Sequence, residues 1–424
     1  MRPASFLLAA VLAFPVLCQQ IGSHTAVRDS HGVLLPWTGF ADAIDREMSW
    51  YAHCPIEHGY PRYVWMTFMD GNYKPVERRM DTIPAMQNGM GILSYLKYYH
   101  YKLDEPAWVL EHARAMGDYL VKESLTPDQG KWPRFTRSTG LRARFPLPPD
   151  CGTQSDRPYE IEPDKGGIAG YALARLYEET KTTRYLDQAL QNARVLAANM
   201  QPGDKQRTPW PFRVDYRTGE GRGPVSADMV YILRLFDELI SLGHGEFQTP
   251  RGNLWTWIKT VQIPDAKRSG GLWVQFFEDH DGLDNRNSWS AMNLARYLIE
   301  RREVLDADWK EDSRTLIEFV NRNFTSVWYG VPVCGEQTED KNPWGGANST
   351  YGAVLAMYTA ATGSTEYKGA AWQALSFALY AVDDNGCTRD GVWKKECGGW
   401  QEDAHTDKIH NIVDALTAMP EWAK

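Results

Sequence analysis

The segment FEDHDGLDNRNSW, residues 277–289, concentrates side chains that can move a proton and hold an anion. His280 stands among acidic residues, which would orient its ring and raise its pKa, and this favours a role as a base. Arg286, between two asparagines, can neutralise a carboxylate. The same residues also fit a calcium-like acidic loop, or an asparagine cap on the helix predicted to begin near Ser288. Both interpretations stay open at this stage.

A second polar segment, NPWGGANSTY, covers residues 342–351 and leads into another predicted helix. Asn348 and Tyr351 lie at the start of that helix, and the glycine pair before them lets backbone approach a ligand closely. A tyrosine in a first helical turn also fits simple packing. We nevertheless include both residues among the candidates, because an amide and a phenol complement the imidazole and the guanidinium of the first segment.

Together these groups indicate β-elimination beside a uronic acid. That reaction requires neutralisation of the carboxylate, removal of the C5 proton and protonation of the leaving O4. The candidate catalytic residues are His280, Tyr351, Asn348 and Arg286. The reaction needs no metal and no cofactor, and the cysteines and histidines show no zinc-site spacing. His405, before the last predicted helix, is a second candidate for the base, although it could equally cap and pack together with His410.

Hydrolysis of a glycosidic bond is the alternative reaction, and it needs a pair of carboxylates. Acidic residues of the polar connections supply many: Glu160, Glu162, Asp164, Asp279, Asp281, Asp284 and Asp403. A general acid needs an apolar setting that raises its pKa, and the YEIEP segment offers such a setting to Glu160 or Glu162. A third possibility is a glycan-binding protein without catalytic activity.

Aromatic rings and arginines are interleaved in PWPFRVDYRTGEGRGPVSADM, residues 209–229, and recur in the other long connections. Flat rings stack on the apolar face of a pyranose, and arginines pair with carboxylates through two hydrogen bonds. We predict a substrate groove formed by Trp210, Arg213, Tyr216, Arg222, Trp273, Trp344 and His405. The alternative is that the tryptophans pack beneath the loops and the arginines bridge nearby Asp and Glu.

The elements that must position these residues are helices. Apolar residues recur at three- and four-residue spacing in pairs of segments that begin near Pro84, Gly166, Ser226, Ser288 and Asn348, about every 60 residues. A single helix is predicted at each end of the chain, and these two would complete a further pair. The pattern predicts an all-α fold, an (α/α) toroid of about six, possibly seven, helical hairpins; a linear solenoid is the alternative.

The connections within each predicted hairpin are short, whereas those between hairpins are long and rich in Trp, Arg, Asp, Gly and Pro. In a toroid all the long connections lie on one rim, where a rigid scaffold holds them. We therefore expect one toroid domain over residues 19–424, with its site on that rim.

The first residues, 1–18, read as a secretory signal: a positive start followed by an apolar stretch too short to span a bilayer. The mature protein is thus expected to be periplasmic or secreted, without a membrane span. A formal net charge of -8 disfavours nucleic acid as a partner. The arginines of the long connections exceed what a neutral sugar would need, so the expected substrate is an anionic polysaccharide or oligosaccharide. Cys387 and Cys397 bracket a loop that a disulfide could close in an oxidising compartment.

In the hairpin repeat, the signal peptide and segments such as WPFRVDYRTGEG and NPWGGANSTY, the chain resembles the secreted helical-toroid polysaccharide lyases, particularly those acting on alginate or glucuronan. Hydrolases and epimerases share this toroid. The resemblance implies a His or Tyr base, a Tyr acid, and Asn, His or Arg at the carboxylate. By rim position these roles correspond to His280, Tyr351, Asn348 and Arg286.

Overall fold

The computed structural model describes residues 19–66, 68–74, 83–104, 106–138, 157, 159–274, 285–401 and 405–423. The helices in these ranges are α1 (Phe40–Ala52), α2 (Pro84–Tyr101), α3 (Ala107–Glu123), α4 (Pro163–Thr180), α5 (Thr183–Ala198), α6 (Val230–Ser241), α7 (Gln248–Trp257), α8 (Ile263–Ala266), α9 (Trp289–Arg301), α10 (Trp309–Phe324), α11 (Gly345–Thr362), α12 (Lys368–Leu379) and α13 (Asp407–Ala418). A π-helical segment, Ile258–Gln262, joins α7 to α8.

Six helices form a closed inner ring within the described ranges. Helix α2 packs on α4, α4 on α6, α6 on α9, α9 on α11 and α11 on α13, and α13 packs back against α2. Each inner helix is paired with an outer one: α2 with α3, α4 with α5, α6 with α7, α9 with α10, α11 with α12, and α13 with α1. The predicted all-α toroid of six hairpins is confirmed, including closure of the ring by the first and last helices. The solenoid alternative is wrong, because its terminal helices would not meet.

Glycines permit the close approach of neighbouring inner helices. A Cβ at Gly167 of α4 would lie 2.6 Å from Cγ1 of Ile232 in α6, and one at Gly89 of α2 would lie 2.9 Å from Cγ2 of Ile168 in α4. Both separations are shorter than carbon–carbon contact, so larger residues would force the helices apart. The glycines that the sequence places early in the inner helices therefore serve packing of the ring.

Short strands decorate the connections: β1 (Gln20–Ile21), β2 (His24–Thr25), β3 (Val27–Arg28), β4 (Leu34–Leu35), β5 (Ile56–Glu57), β6 (Tyr60–Pro61), β7 (Phe68–Asp70), β8 (Glu160–Ile161), β9 (Arg213–Asp215), β10 (Gly221–Arg222), β11 (Thr325–Trp328), β12 (Val331–Cys334) and β13 (Gly398–Trp400). Most pair with a neighbour along the chain. Strand β9 lies between β8 and β10, and β13 pairs antiparallel with β7, with Gly399 opposite Met69. These pairings tie separate connections together.

The chain alternates between inner and outer helices, so all the inner helices point in the same direction along the axis of the ring. The long connections, such as residues 124–162 and 199–229, enter the N-terminal ends of the inner helices. We call this end the long-connection mouth. The short turns, such as residues 181–182 between α4 and α5, leave the C-terminal ends, and we call that end the short-turn mouth.

The disulfide between Cys387 and Cys397 closes the connection before α13, with a Cα–Cα distance of 5.8 Å. Cys54 and Cys334 are buried free thiols. None of the helices in the described ranges has the length and apolar character needed to cross a membrane.

Candidate functional site

Three aromatic residues that the sequence suggested as sugar platforms are buried. Trp210 and Trp273 are 0% exposed; the Trp210 Nε1–H donates to the Leu196 carbonyl at 3.1 Å, and Trp273 packs near Phe319. Tyr216 is also buried. A ring without exposed surface cannot stack on a ligand, so the structure assigns these rings to the core beneath the long connections, as the packing alternative had it.

The two arginines predicted for the groove are held by acidic residues. Arg213 lies 3.3 Å from Glu162, and both side chains are buried. Arg222 donates to both carboxylate oxygens of Glu160, from Nε at 2.8 Å and from Nη2 at 2.6 Å. Such bidentate pairing is the geometry in which arginine and carboxylate bind each other best. These arginines hold β8, β9 and β10 together by pairing with nearby acidic residues, as the alternative interpretation of the sequence predicts.

Trp344 differs from the other aromatic candidates. It is half-buried, its Nε1–H donates to Asp340 at 3.0 Å, and its ring meets that of Trp393 edge-to-face with centroids 5.0 Å apart. The Lys394 ammonium lies 5.1 Å from the ring centroid. Trp344 directly precedes α11 at the long-connection mouth, so it retains surface on which a sugar could stack.

Tyr351 and Asn348 are in the wall between the inner and outer layers. The Tyr351 hydroxyl donates to the side-chain oxygen of Asn321 in α10 at 2.8 Å. The Asn348 amide donates to the Ala374 carbonyl in α12 at 2.8 Å and accepts from the Cys334 backbone N–H at 3.0 Å. Both side chains thus hold α11 against the outer layer rather than face the ring interior. This placement gives no support to the predicted catalytic roles.

Of the remaining catalytic candidates, the two that the structure describes, Arg286 and His405, are held in other contacts. His280 lies outside the described residues. The Arg286 Nε–H donates to the Gly270 carbonyl at 3.0 Å, which anchors the connection before α9. His405 is fully buried, stacked on Trp50 of α1 with centroids 4.9 Å apart. Burial and the nearby Lys408 charge hold its pKa well below its usual value, so its imidazole is neutral. It packs against the outer helix, as the capping alternative proposed.

The described residues bring a different pair together, Asp164 and Asp228, which we call the carboxylate pair. Asp164 is the second residue of α4, and Asp228 lies two residues before α6; both are buried. Burial, and then the negative charge of Asp164, raise the pKa of Asp228 to about 8, against the opposing charges of Lys165 and Arg234. At neutral pH Asp228 therefore carries a proton beside a second carboxyl group.

Glu160 and Glu162, two other buried acidic residues, each pair with cations. Lys165 Nζ lies 2.7 Å from Glu162, which also pairs with Arg213. Although burial by itself would raise it, the pKa of Glu160 is held below its usual range by hydrogen bonds from Arg222. Glu160 and Glu162, the residues for which the sequence suggested a raised pKa, are thus held by cations. Compared with Glu160, whose pKa is lowered by a cation, Asp228 has a pKa that burial raises.

The carboxylate pair lies beside polar groups from three further inner-helix positions. Asn293 of α9 hydrogen-bonds to Asp228, and Tyr231 of α6 lies within electrostatic range of both Asp228 and Asp407. Burial raises the pKa of the Tyr231 hydroxyl, which therefore stays protonated. Asp228 and Asp407, at the starts of α6 and α13, thus both act on Tyr231, as do Arg234 and Arg296. Such an arrangement can hold and donate a proton.

Comparison with known proteins gives the fold its context. No protein-family model matches the sequence, and no curated protein matches it. The structure is similar to the cellobiose 2-epimerase of Spirochaeta thermophila (TM-score 0.62, 14% identity, 90% of this chain and 95% of that one). It is also similar to a family 76 glycoside hydrolase, a mannosidase, of Bacteroides thetaiotaomicron (0.58, 10%, 90% and 99%) and to a polysaccharide lyase (0.55, 13%, 90% and 97%). The likeness establishes the fold.

Proposed function

We propose that this protein is a carbohydrate-active enzyme that hydrolyses a glycosidic bond at the carboxylate pair. Asp228 is the general acid, which protonates the leaving glycosidic oxygen as the bond to the anomeric carbon breaks. Asp164 is the second carboxylate; it is fully buried, so its negative charge stabilises the developing positive charge at the anomeric carbon, to which water then adds with loss of a proton. The raised pKa of Asp228 beside Asp164 carries the proposal.

The environment of the pair fits this division of labour. A general acid must keep its proton at the working pH, which burial provides for Asp228, while its partner must stay ionised. The charge of Asp164 is what raises the pKa of Asp228 after burial, and Lys165, next in sequence, offsets part of it. The two residues come from neighbouring inner helices and so are held on rigid elements. The toroid neighbours, which include hydrolases, epimerases and a lyase, support carbohydrate chemistry in general.

Cleavage of a uronic-acid polysaccharide of alginate or glucuronan type by β-elimination is the finer hypothesis from the sequence. Its base, His280, lies outside the described residues, and its acid and amide, Tyr351 and Asn348, bond to the outer layer. The described residues therefore favour hydrolysis. Elimination, and with it the anionic substrate, stays a prediction that the same experiment decides.

The experiment is a screen of the purified protein against alginate, glucuronan, pectate and neutral mannans and glucans. New reducing ends without ultraviolet absorbance support hydrolysis, whereas reducing ends with the absorbance of unsaturated uronates would replace it by β-elimination. Asp228→Asn should abolish turnover, because an amide has no proton to give. Glu47→Gln is the matched control: burial also raises the pKa of Glu47 to about 8, but this residue lies on α1 beside Lys408. Full activity of D228N would refute the assignment, and binding without products would indicate a glycan-binding protein.

We further propose that the mature protein is periplasmic or secreted, starting near residue 19. The bond between Cys387 and Cys397 fits an oxidising compartment. Mass spectrometry of the protein recovered from cell fractions gives its N-terminus and its compartment, and an intact N-terminus in the cytosolic fraction would contradict this.

A further inference from the structure

A cavity lies inside the ring and is lined in part by Tyr231 and Arg234 of α6, which lie within electrostatic range of Asp228. It has a volume of about 400 Å³. Helices α2, α9 and α13 line it with residues of their C-terminal halves, α4 lines it with Tyr171 and Arg175 near its middle, and α6 with Tyr231 and Arg234 in its first half. This size lies within the range of about 300–1,000 Å³ typical of small-ligand pockets. Its walls combine apolar side chains, such as Leu93 and Val413, with tyrosine hydroxyls and charges. We call it the short-turn pocket.

The charged residues that line the short-turn pocket do not balance. The cations are Lys97, Arg175, Arg234 and Arg296, and the acids are Glu300 and Asp414. Arg175 is offset by Glu178, at 3.4 Å; Glu238 lies 3.5 Å from Arg175, but burial and the neighbouring Glu178 raise its pKa to about 7, so it does not add a full second negative charge. Burial holds the pKa of His410 well below its usual value, so this imidazole is neutral. Three cations thus face two carboxylates, an excess of one positive charge in a protein of net charge -8.

The pairing geometry shows how that excess is distributed. Arg234 donates to Glu300 at 2.7 Å, and its guanidinium lies 5.1 Å from the Tyr297 ring centroid. Lys97 lies 2.5 Å from Asp414 and 3.0 Å from the Nε2 atom of His410.

Arg296 reaches the same Asp414, with its Nε at 3.4 Å. Two cations therefore share one carboxylate. The His410 Nδ1 atom is buried and has no hydrogen-bond partner in the described part of the chain.

We propose that the short-turn pocket binds a sugar-sized ligand bearing one oxyanion, a carboxylate or a phosphate, between Lys97, Arg234 and Arg296. One such group completes the charge balance, and the tyrosine hydroxyls and apolar walls suit a polyhydroxyl ring. Helix C-termini carry partial negative charge, but this effect is confined to the last turn. The three cations lie at least one turn inside α2, α6 and α9. The inference does not depend on the proposed hydrolysis.

Isothermal titration calorimetry with glucuronate, glucose 6-phosphate and glucose tests the site. We expect the full chain to bind at least one of the two sugar anions and not glucose; whichever anion binds identifies the source of the oxyanion. Arg234→Met should weaken that binding about tenfold or more, because it removes a charge-assisted hydrogen bond. Glu300→Gln should leave binding intact or strengthen it, since it removes a competing negative charge.

Asp228→Asn is the control that separates this pocket from the carboxylate pair: Asp228 lies within electrostatic range of Arg234, but it is protonated at neutral pH, so the amide leaves the charge near the pocket unchanged. Its anion affinity should equal that of the wild-type protein even when its turnover is lost. Three results would overturn the proposal: no binding of either anion, equal binding of glucose, or an affinity lost in D228N and kept in R234M. If R234M does not fold, two other variants test the proposal. Lys97→Met should weaken binding of the anion, whereas Glu300→Gln should keep or strengthen it.

Discussion

Replacement of Asp228 by asparagine should change how the stability of the protein depends on pH. The pKa of Asp228 is about 8 in the folded protein, against roughly 3.9 for an unfolded chain. A raised acid pKa means that the folded state binds a proton that the unfolded state lacks. The associated stability is present at low pH and is lost as the pH rises through 8. Between pH 6 and pH 9 the loss is about two pKa units, or about 3 kcal/mol.

The measurement is urea unfolding of the wild-type protein and Asp228→Asn at pH 6 and pH 9. Groups other than Asp228 titrate in both proteins, so the difference between the two isolates this residue. We expect D228N to gain about 3 kcal/mol relative to wild type on going from pH 6 to pH 9. Water entry around the ionised group would make the measured gain smaller. A difference that does not change with pH would mean that Asp228 is ionised in the folded state, and the general-acid assignment would fail with it.

The matched variant Glu47→Gln separates the pH effect from catalysis. Glu47 is fully buried, and its pKa is likewise raised to about 8, by burial against the opposing charge of Lys408. We expect E47Q to show a similar dependence of stability on pH while it keeps its activity. Loss of turnover in both variants to the same extent would point to a general folding effect rather than to a general acid at residue 228.

Three further predictions test the packing assignments. Gly167→Ala should lower the free energy of unfolding by about 1–3 kcal/mol in urea, because its Cβ would lie 2.6 Å from Ile232. Trp210→Ala should lower it by about 3–5 kcal/mol and leave KM unchanged where the protein folds; a raised KM in a stable protein would restore the groove interpretation. Tyr351→Phe should keep kcat and lose about 1 kcal/mol with its hydrogen bond to Asn321; abolished turnover at unchanged stability would return Tyr351 to the catalytic set.

Helix periodicity carried most of the fold prediction. Pairs of amphipathic segments with alternating short and long connections leave few ways to bury every apolar face, and the unpaired helices at the two ends complete the ring. The short strands were harder to foresee, because they contain two to four residues and depend on partners distant in sequence. Strand β13, for example, pairs with β7, some 330 residues earlier.

The side chains of the site were less predictable, for a physical reason. A tryptophan beside proline or glycine in a long connection has the same local sequence whether it lines a groove or covers the core. Trp210 and Trp344 share that context, yet the first is buried and the second is half-exposed. Burial depends on the layer above each ring, which no local pattern encodes.

One signal for the carboxylate pair was available in the sequence. An aspartate recurs within about two residues of the start of three inner helices, as Asp164, Asp228 and Asp407. Helix N-termini favour acidic residues in general, which makes each of them unremarkable by itself. Their convergence in a ring became informative only once α4, α6 and α13 were known to be inner helices.

A raised carboxyl pKa does not by itself mark an active site, and this fold shows why. Burial raises the pKa of Glu47 to about 8 and that of Asp390 to about 7, yet Glu47 lies on an outer helix, and both are near the buried ammonium group of Lys408. Buried acids that meet a buried cation are an ordinary cost of a polar interior. Asp228 differs from these two because the second contribution to its shift is another carboxylate, Asp164, at the start of a neighbouring inner helix; Glu238 also meets a carboxylate, Glu178, but Arg175 pairs with both of them. Two acids held together lower stability unless one keeps its proton, and a retained proton beside an ionised neighbour is what glycosidic bond cleavage requires.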